Sequence, residues 1–452
     1  MLIPRPGGSI EEGRRPIVTA ILVAINVAVY IYTSLSTGLL VETAPHYIRS
    51  YGFRPSYLLT DPARALFTAF TSMFIHADII HIFFNMYFLW IFGSRVEKIL
   101  GHGRYVALYL SSGLAAILFH TSFIPIGGYT ALTIPAVGAS GAISGILGAY
   151  LLLFPHTSLS LCLFMFFMPV CFTAPAYAFL LFWFAQQVIY GYLRLGGVAY
   201  FAHAGGFVMG LYLIPHLYRP RARRPAYYEY VLRILQDYLG IRASRHQGLG
   251  ALAKGVLIAL LLAIVAGFAY SAYSSYSTPI YYAKVSAAPV GGESYEEGFY
   301  VYVEREAAST TLIENSIVRI TVNRLAPLLY TPSLASSEVS NTRRSYIVTI
   351  LGVAVPVDLY IEVFRFNEHG VLVYGVGRMD TESVVIERNV VRRGERVVIE
   401  FRYDGFNVDT SPITIASLLS IALALFSIAS VLRSDEVVVT RYFPLPEAYP
   451  YL

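Results

Sequence analysis

Eight apolar stretches constrain this chain more than any other feature. They cover residues 17–40, 79–92, 105–123, 142–154, 159–193, 200–217, 251–270 and 413–432. A helix that crosses a bilayer needs about 20 mostly apolar residues. Only 13% of the chain is charged, against about 25% in an ordinary soluble domain. A polytopic α-helical membrane protein is therefore expected. The net charge of +5 is modest and sits mainly in loops beside the apolar runs. That pattern suits membrane orientation and argues against a nucleic-acid surface. Residues 1–13 are polar and no small-residue cleavage site follows the first apolar run, so no signal peptide is expected. Cys162 and Cys171 both lie in an apolar stretch, which indicates neither a disulfide framework nor a cysteine zinc site.

The stretch 159–193 is long enough for two helices. Pro169 and Pro175 break it, and it is read as one interfacial segment followed by one helix. The reason is mechanistic: two crossings there would put Ser140 and His203, discussed below, at opposite faces of the bilayer. Eight crossings place three basic regions on one side: Arg14 and Arg15; Arg95, Lys98 and Arg104; and the run from Arg219 to Arg245. Positive loops stay cytoplasmic, so both termini are expected there, although Arg49, Arg54 and Arg64 fall on the other side. The expected organisation is a cytoplasmic N-terminus (1–15), a six-helix domain (16–218) and a basic cytoplasmic linker (219–249). A seventh transmembrane helix (250–273), an extracytoplasmic β domain (274–411), an eighth helix (412–432) and a cytoplasmic tail (433–452) follow. The linker is expected to form an amphipathic helix on the headgroups.

The region 274–411 differs in kind. Short β-branched and aromatic runs begin at Phe299, Val318, Tyr346 and Val397, punctuated by Gly, Pro and Asn. They predict strands and an all-β antiparallel sandwich or barrel. It contains no cysteine, so packing alone must stabilise it. Its ligand is not identified by the sequence.

Polar side chains inside apolar helices are expensive and usually functional. Ser140 follows Gly138 and Ala139 at the start of the fourth helix, which Pro135 precedes and Pro155 closes. About 15 helical residues span about 22 Å, short of a hydrocarbon core of about 30 Å. Ser140 is thus expected below the outer surface at a helix N-terminus, where free N–H groups favour negative charge. Its alternative role is that of a small packing residue. Gly141 and Gly145, with Ser144 and Gly148 beside them, form a small-residue stripe, and Ala202, Gly206 and Gly210 repeat it on the sixth helix. Such stripes let two backbones approach closely, here the helices carrying Ser140 and His203. The histidine is then placed to act as general base on the serine. No Asp or Glu lies within helices four to six to orient it, so a dyad is expected. His81 and Asn85 are four apart and share a face of the second helix. With the Ser140 N–H they could hold an oxyanion; an interhelical hydrogen bond is the alternative.

These residues, in this order, resemble the rhomboid family of intramembrane serine proteases. The resemblance covers about residues 15–218. It is carried by His76, by His81 through Asn85, by Val96-Glu97-Lys98 and Gly101 in the following loop, by Gly138-Ala139-Ser140-Gly141, and by Ala202-His203. It implies a six-helix core that cleaves transmembrane helices of other proteins, with single-span proteins as substrates in the lipid bilayer. Ser140 would be nucleophile, His203 base, and His81 and Asn85 oxyanion donors, without cofactor or metal. It further implies that residues 176–192 form a lateral gate and that 193–199 cap the site. Some members carry a tyrosine that stacks on the histidine where this chain has Ser144. A catalytically inactive, rhomboid-like binding or quality-control protein is the competing reading, and the intact Ser140/His203 pair argues against it. A channel or transporter lacks support, since no matching half-helices are seen. A zinc protease lacks its His-Glu-x-x-His motif.

Overall fold

A computed structural model describes residues 2–4, 15–38, 40–165, 168–195, 199–218, 248–304, 306–387 and 390–434. The expected amphipathic linker helix and the tail lie almost wholly outside these residues, and part of the expected 193–199 cap does too. The chain divides into two compact units. One comprises Met1–Gly127, Pro135–Ala272 and Ile413–Leu452; the other comprises Gly128–Ile134 and Tyr273–Pro412.

The long helices of the first unit are α1 (Ile17–Ser34), α2 (Ile79–Phe88), α3 (His102–Ser122), α4 (Ser140–Leu153), α5 (Ala176–Tyr192), α6 (Tyr200–Leu217) and α7 (Ala251–Ser277). Among the described residues, five helical segments are long and apolar enough to cross a membrane: Ile17–Thr37, Ile79–Leu100, His102–Ser122, Ala251–Ser277 and Ser411–Leu432. The chain is a multi-pass membrane protein. After Phe88 the second helix passes through a π turn at Leu89–Gly93 and continues over Ser94–Leu100. The expected loop around Val96-Glu97-Lys98 is therefore helical. Glu97 is 1% exposed. It accepts hydrogen bonds from the Val18 and Thr19 amides at 2.8 Å, and from the Thr19 hydroxyl at 2.6 Å. His102 Nδ1 lies 2.6 Å from the same carboxylate. A carboxylate inside this span persists because every lone pair facing the core has a donor.

The segment expected to lie at the interface is a β-hairpin. Strand β2 (Ser158–Met165) pairs antiparallel with β3 (Met168–Pro175), and β1 (Leu2–Pro4) adds to the free edge of β2. Pro175 ends β3 and acts as the N-cap of α5. One helix, not two, follows α4 before α6.

Helix α4 lies at the centre of the first unit; from Gly141 to Leu153 each of its residues is buried. The small-residue stripes do bring backbones together. A Cβ on Gly206 would run into the Gly141 carbonyl, and one on Gly210 into that of Gly145. Helix α6 also meets α3, where a Cβ on Gly205 would lie 2.5 Å from the Ala115 oxygen. The later apolar helices join this core through hydroxyls. Ser271 of α7 donates to the Ser122 carbonyl at 2.5 Å, and Ser122 Oγ meets Ser420 Oγ at 2.9 Å. Ser427 donates to the Val208 carbonyl of α6 at 3.0 Å, and Tyr192 of α5 to the Ala263 carbonyl of α7 at 2.8 Å. Hydroxyl bonds of this kind average about 0.6 kcal/mol between membrane helices, so the seam acts by number and by geometry.

The second unit is one antiparallel sheet of seven strands in the order β6-β5-β4-β10-β9-β8-β7. The strands are β4 (Ile280–Pro289), β5 (Tyr295–Glu304), β6 (Ala307–Thr310), β7 (Glu338–Ile350), β8 (Val353–Phe366), β9 (Leu372–Glu387) and β10 (Val390–Asn407). Helix α8 (Ser316–Leu329) shares its core, and α9 (Ser411–Leu432) follows β10. The expected strand at Val318 is thus wrong and the unit is not all-β; of the two expected architectures, sandwich or barrel, the sheet is a half-barrel. The alternation in Val318–Val322 sits inside a longer helical pattern, with Val318, Thr321, Val322, Leu325, Leu328 and Leu329 buried along one face. Asn315 caps it, accepting from the Ile317 and Val318 amides. Arg324 on this helix is buried, donating through Nε to Thr381 Oγ1 at 3.1 Å and through Nη2 to the Glu382 carbonyl at 2.8 Å.

Candidate active site

Ser140 is the first residue of α4, with Ala139 at the N-cap. Gly138 makes this turn possible. Its φ is +118°, its amide donates to the Ser72 carbonyl at 2.9 Å, and a Cβ there would lie 2.7 Å from His81 Nε2. Only glycine adopts that backbone without strain. The turn points Ser140 Oγ at α6, where His203 Nε2 lies 2.8 Å away. The hydroxyl and the imidazole, 63 positions apart in sequence, are hydrogen-bonded. Helix contact sets that distance, since Gly141 follows the serine and Gly206 lies three residues after the histidine.

The other ring nitrogen is also engaged: His203 Nδ1 lies 2.9 Å from Gln187 Oε1 of α5. Trp183, one turn earlier on α5, stacks near the imidazole with ring centroids 6.1 Å apart and planes at 28°. Ser144 donates to the Ser140 carbonyl at 2.6 Å. Gln187 and Trp183 are not among the residues expected from sequence, where the absence of Asp and Glu from helices four to six led only to a dyad. The signal was there: Gln186-Gln187 are amides in an otherwise apolar helix.

His81 approaches the same turn, as its distance to Gly138 shows. The Ala77 amide donates to His81 Nδ1 at 3.4 Å, which leaves the proton on Nε2, the nitrogen nearest Gly138. His76 is fully buried, packs edge-on to His81 with centroids 5.1 Å apart, and accepts from the Ala139 amide at 3.4 Å. Asn85 is buried and donates to the His81 carbonyl at 2.8 Å, holding its side chain along its own helix. Gly141 and Gly206 serve the helix contact described above. A cavity of about 40 Å³ opens beside Ser140 and His203, lined also by Met73, Gly113, Val137 and Ala199. A water needs about 10–15 Å³ measured this way, so the site can hold one. Among the described residues no three His, Cys, Asp or Glu side chains converge as a metal site would require.

The site is a serine hydroxyl on a histidine, at a glycine turn and beside a small cavity, within a helical membrane domain. Comparison with known proteins narrows this. Residues 63–220 match the family profile described as "Rhomboid domain". The chain is 35% identical over 162 residues to "Rhomboid protein 1, mitochondrial" of Saccharomyces cerevisiae, covering 34% of this chain and 43% of that protein. It is 27% identical over 143 residues to "Rhomboid protease GluP" of Bacillus subtilis, covering 32% and 26%. A mouse relative, "Presenilin-associated rhomboid-like protein, mitochondrial", is 31% identical over 163 residues, covering 35% and 41%. The chain carries a rhomboid domain homologous to rhomboid proteases. It spans less than half the length of these relatives. The matched residues take in Ser140, His203, His81 and Asn85, while the seven-stranded sheet and helices α7 and α9 lie beyond them.

Proposed function

We propose that this protein is an intramembrane serine endopeptidase that cleaves transmembrane helices of other membrane proteins, single-span proteins among them. The observation that carries this reading is the 2.8 Å hydrogen bond from Ser140 Oγ to His203 Nε2. Ser140 attacks the scissile carbonyl carbon while Nε2 takes the hydroxyl proton. The amine leaves with that proton, and water, activated by the same nitrogen, releases the acyl group. The oxyanion formed at each step is held by the Ser140 amide and His81 Nε2–H; Asn85 would add only its second amide hydrogen, the first being bound to the His81 carbonyl. Each such donor typically contributes roughly 100- to 1,000-fold in rate.

The eight-crossing topology, with both termini cytoplasmic and the sheet unit extracytoplasmic, is part of this proposal. Its support is the basic loops and the single helix between α4 and α6. The test is cleavage of a panel of single-span reporters by the wild type and by Ser140→Ala. The variant should fold and lose all turnover; undiminished turnover would remove the nucleophile assignment.

A further inference from the structure

We propose that Gln187 is a positioning residue for the reaction, a neutral amide that selects the tautomer of His203 in place of a carboxylate. The inference rests on the proteolytic reading and deepens it.

The argument starts at the Trp183 carbonyl. Gln187 Nε2 lies 3.5 Å from that oxygen, one turn back on α5. Turning the amide over would set Oε1 against the carbonyl, two acceptors facing each other with no proton between them. The carbonyl therefore selects the orientation that aims Oε1 at His203 Nδ1, 2.9 Å away. An amide oxygen only accepts, so Nδ1 must carry the imidazole proton. Nε2 is then left with its lone pair toward Ser140 Oγ at 2.8 Å, the one arrangement in which the ring can take the serine proton. In the other tautomer Nε2 would donate to the serine, and no base would be present. Gln187 is 5% exposed, so water does not compete for the bond. The Trp183 ring lies along the face of the same imidazole. Tautomer and tilt thus both come from α5, a helix that carries neither member of the pair.

During attack the imidazole becomes cationic, and the Gln187 oxygen accepts from a charged donor, so the bond is stronger in the transition state than before it. Losing it should lower the rate of attack more than substrate affinity. The probe is a fluorophosphonate, whose phosphorus Ser140 attacks with loss of fluoride while His203 takes the serine proton. The full-length protein in detergent is labelled at several probe concentrations to separate kinact from KI. Gln187→Met keeps the volume and removes the acceptor. Its kinact should fall about 10- to 100-fold with KI within about twofold of wild type. Gln187→Glu restores an acceptor at the same reach and should return kinact to within about threefold of wild type. If Gln187→Met does not fold, Gln187→Asn, one methylene too short to reach Nδ1, repeats the comparison. Wild-type kinact in the Met or Asn variant, or a Glu variant as slow as Met, overturns the assignment. Ser140→Ala is run alongside: labelling of that variant would sink the proteolytic reading itself, whereas its silence with a fully active Gln187→Met would sink only the role of Gln187.

Discussion

Adding one methyl group at Gly206 probes whether helix contact sets the reacting distance. A Cβ at that position lies 2.9 Å from the Gly141 carbonyl carbon and 3.2 Å from Ser144 Cβ. The same Cβ overlaps the Gly141 carbonyl oxygen outright, and non-bonded heavy atoms rest at about 3.5–4.0 Å, so α4 and α6 must part by more than about 1 Å to admit it. Ser140 and His203 sit on those two helices within a turn of the wedge. The 2.8 Å hydrogen bond would then stretch beyond about 3.8 Å, past the limit of a real one. A misplacement of about 1 Å can cost about 100-fold in rate, and overpacking costs about 1–3 kcal/mol of stability. Gly206→Ala should therefore turn over a single-span reporter, and react with a fluorophosphonate, about 100-fold more slowly than wild type. The control is Gly255→Ala on α7, where a Cβ meets nothing within 4 Å and where alanine should be neutral or slightly stabilising. A Gly206→Ala protein that folds and works at the wild-type rate would refute the link between close helix contact and catalysis.

Three further outcomes are expected. Gly138→Ala forces a side chain onto a φ of +118° and against His81, so turnover should drop at least about tenfold at a strain cost of about 1–3 kcal/mol; unchanged turnover would dissociate this turn from the site. Glu97→Gln puts an amide NH₂ opposite backbone donors at Val18 or Thr19. A buried donor is then orphaned, and thermal unfolding should show a loss of about 1–3 kcal/mol; an unaltered melting curve would mean those bonds contribute nothing. In the sheet unit, the hydrogen bond from Arg396 holds the Asp380 carboxyl below its ordinary 3.8. A depressed folded value means the stabilisation is complete above that pH and fades as pH falls through the folded value. With Arg396 three-quarters exposed, solvent screens the pair and the contribution should be small. Asp380→Asn should thus be slightly less stable than wild type at about pH 6, and the difference should shrink as pH falls below 3.8; a difference that stays constant as pH falls would refute the pairing.

Much of this molecule can be read from residue order because the bilayer imposes a strong filter. Apolar runs mark the helices, and a polar residue inside one stands out because burying it costs free energy. Ser140, His203, His81 and Asn85 were conspicuous for that reason, and the stripes of Gly141, Gly145, Gly206 and Gly210 pointed to the two helices that meet. Where a local pattern served two structures equally well, sequence was a poor guide. The run 159–175 is apolar enough for a helix and forms a hairpin. Val318–Val322 alternates like a strand, yet is one part of a helix whose buried face appears only over 14 residues. The segment Val96-Glu97-Lys98, expected as a loop, is helical, and Glu97 is held there by donors distant in sequence, Val18, Thr19 and His102.

Sequence by itself determined which side chains are chemically competent and which helices carry them, because both follow from local polarity and spacing along one chain. Tertiary structure alone decided how the imidazole is held. The bond from Gln187 to His203 depends on the rotation of α5 about its own axis, and packing against α6 sets that rotation.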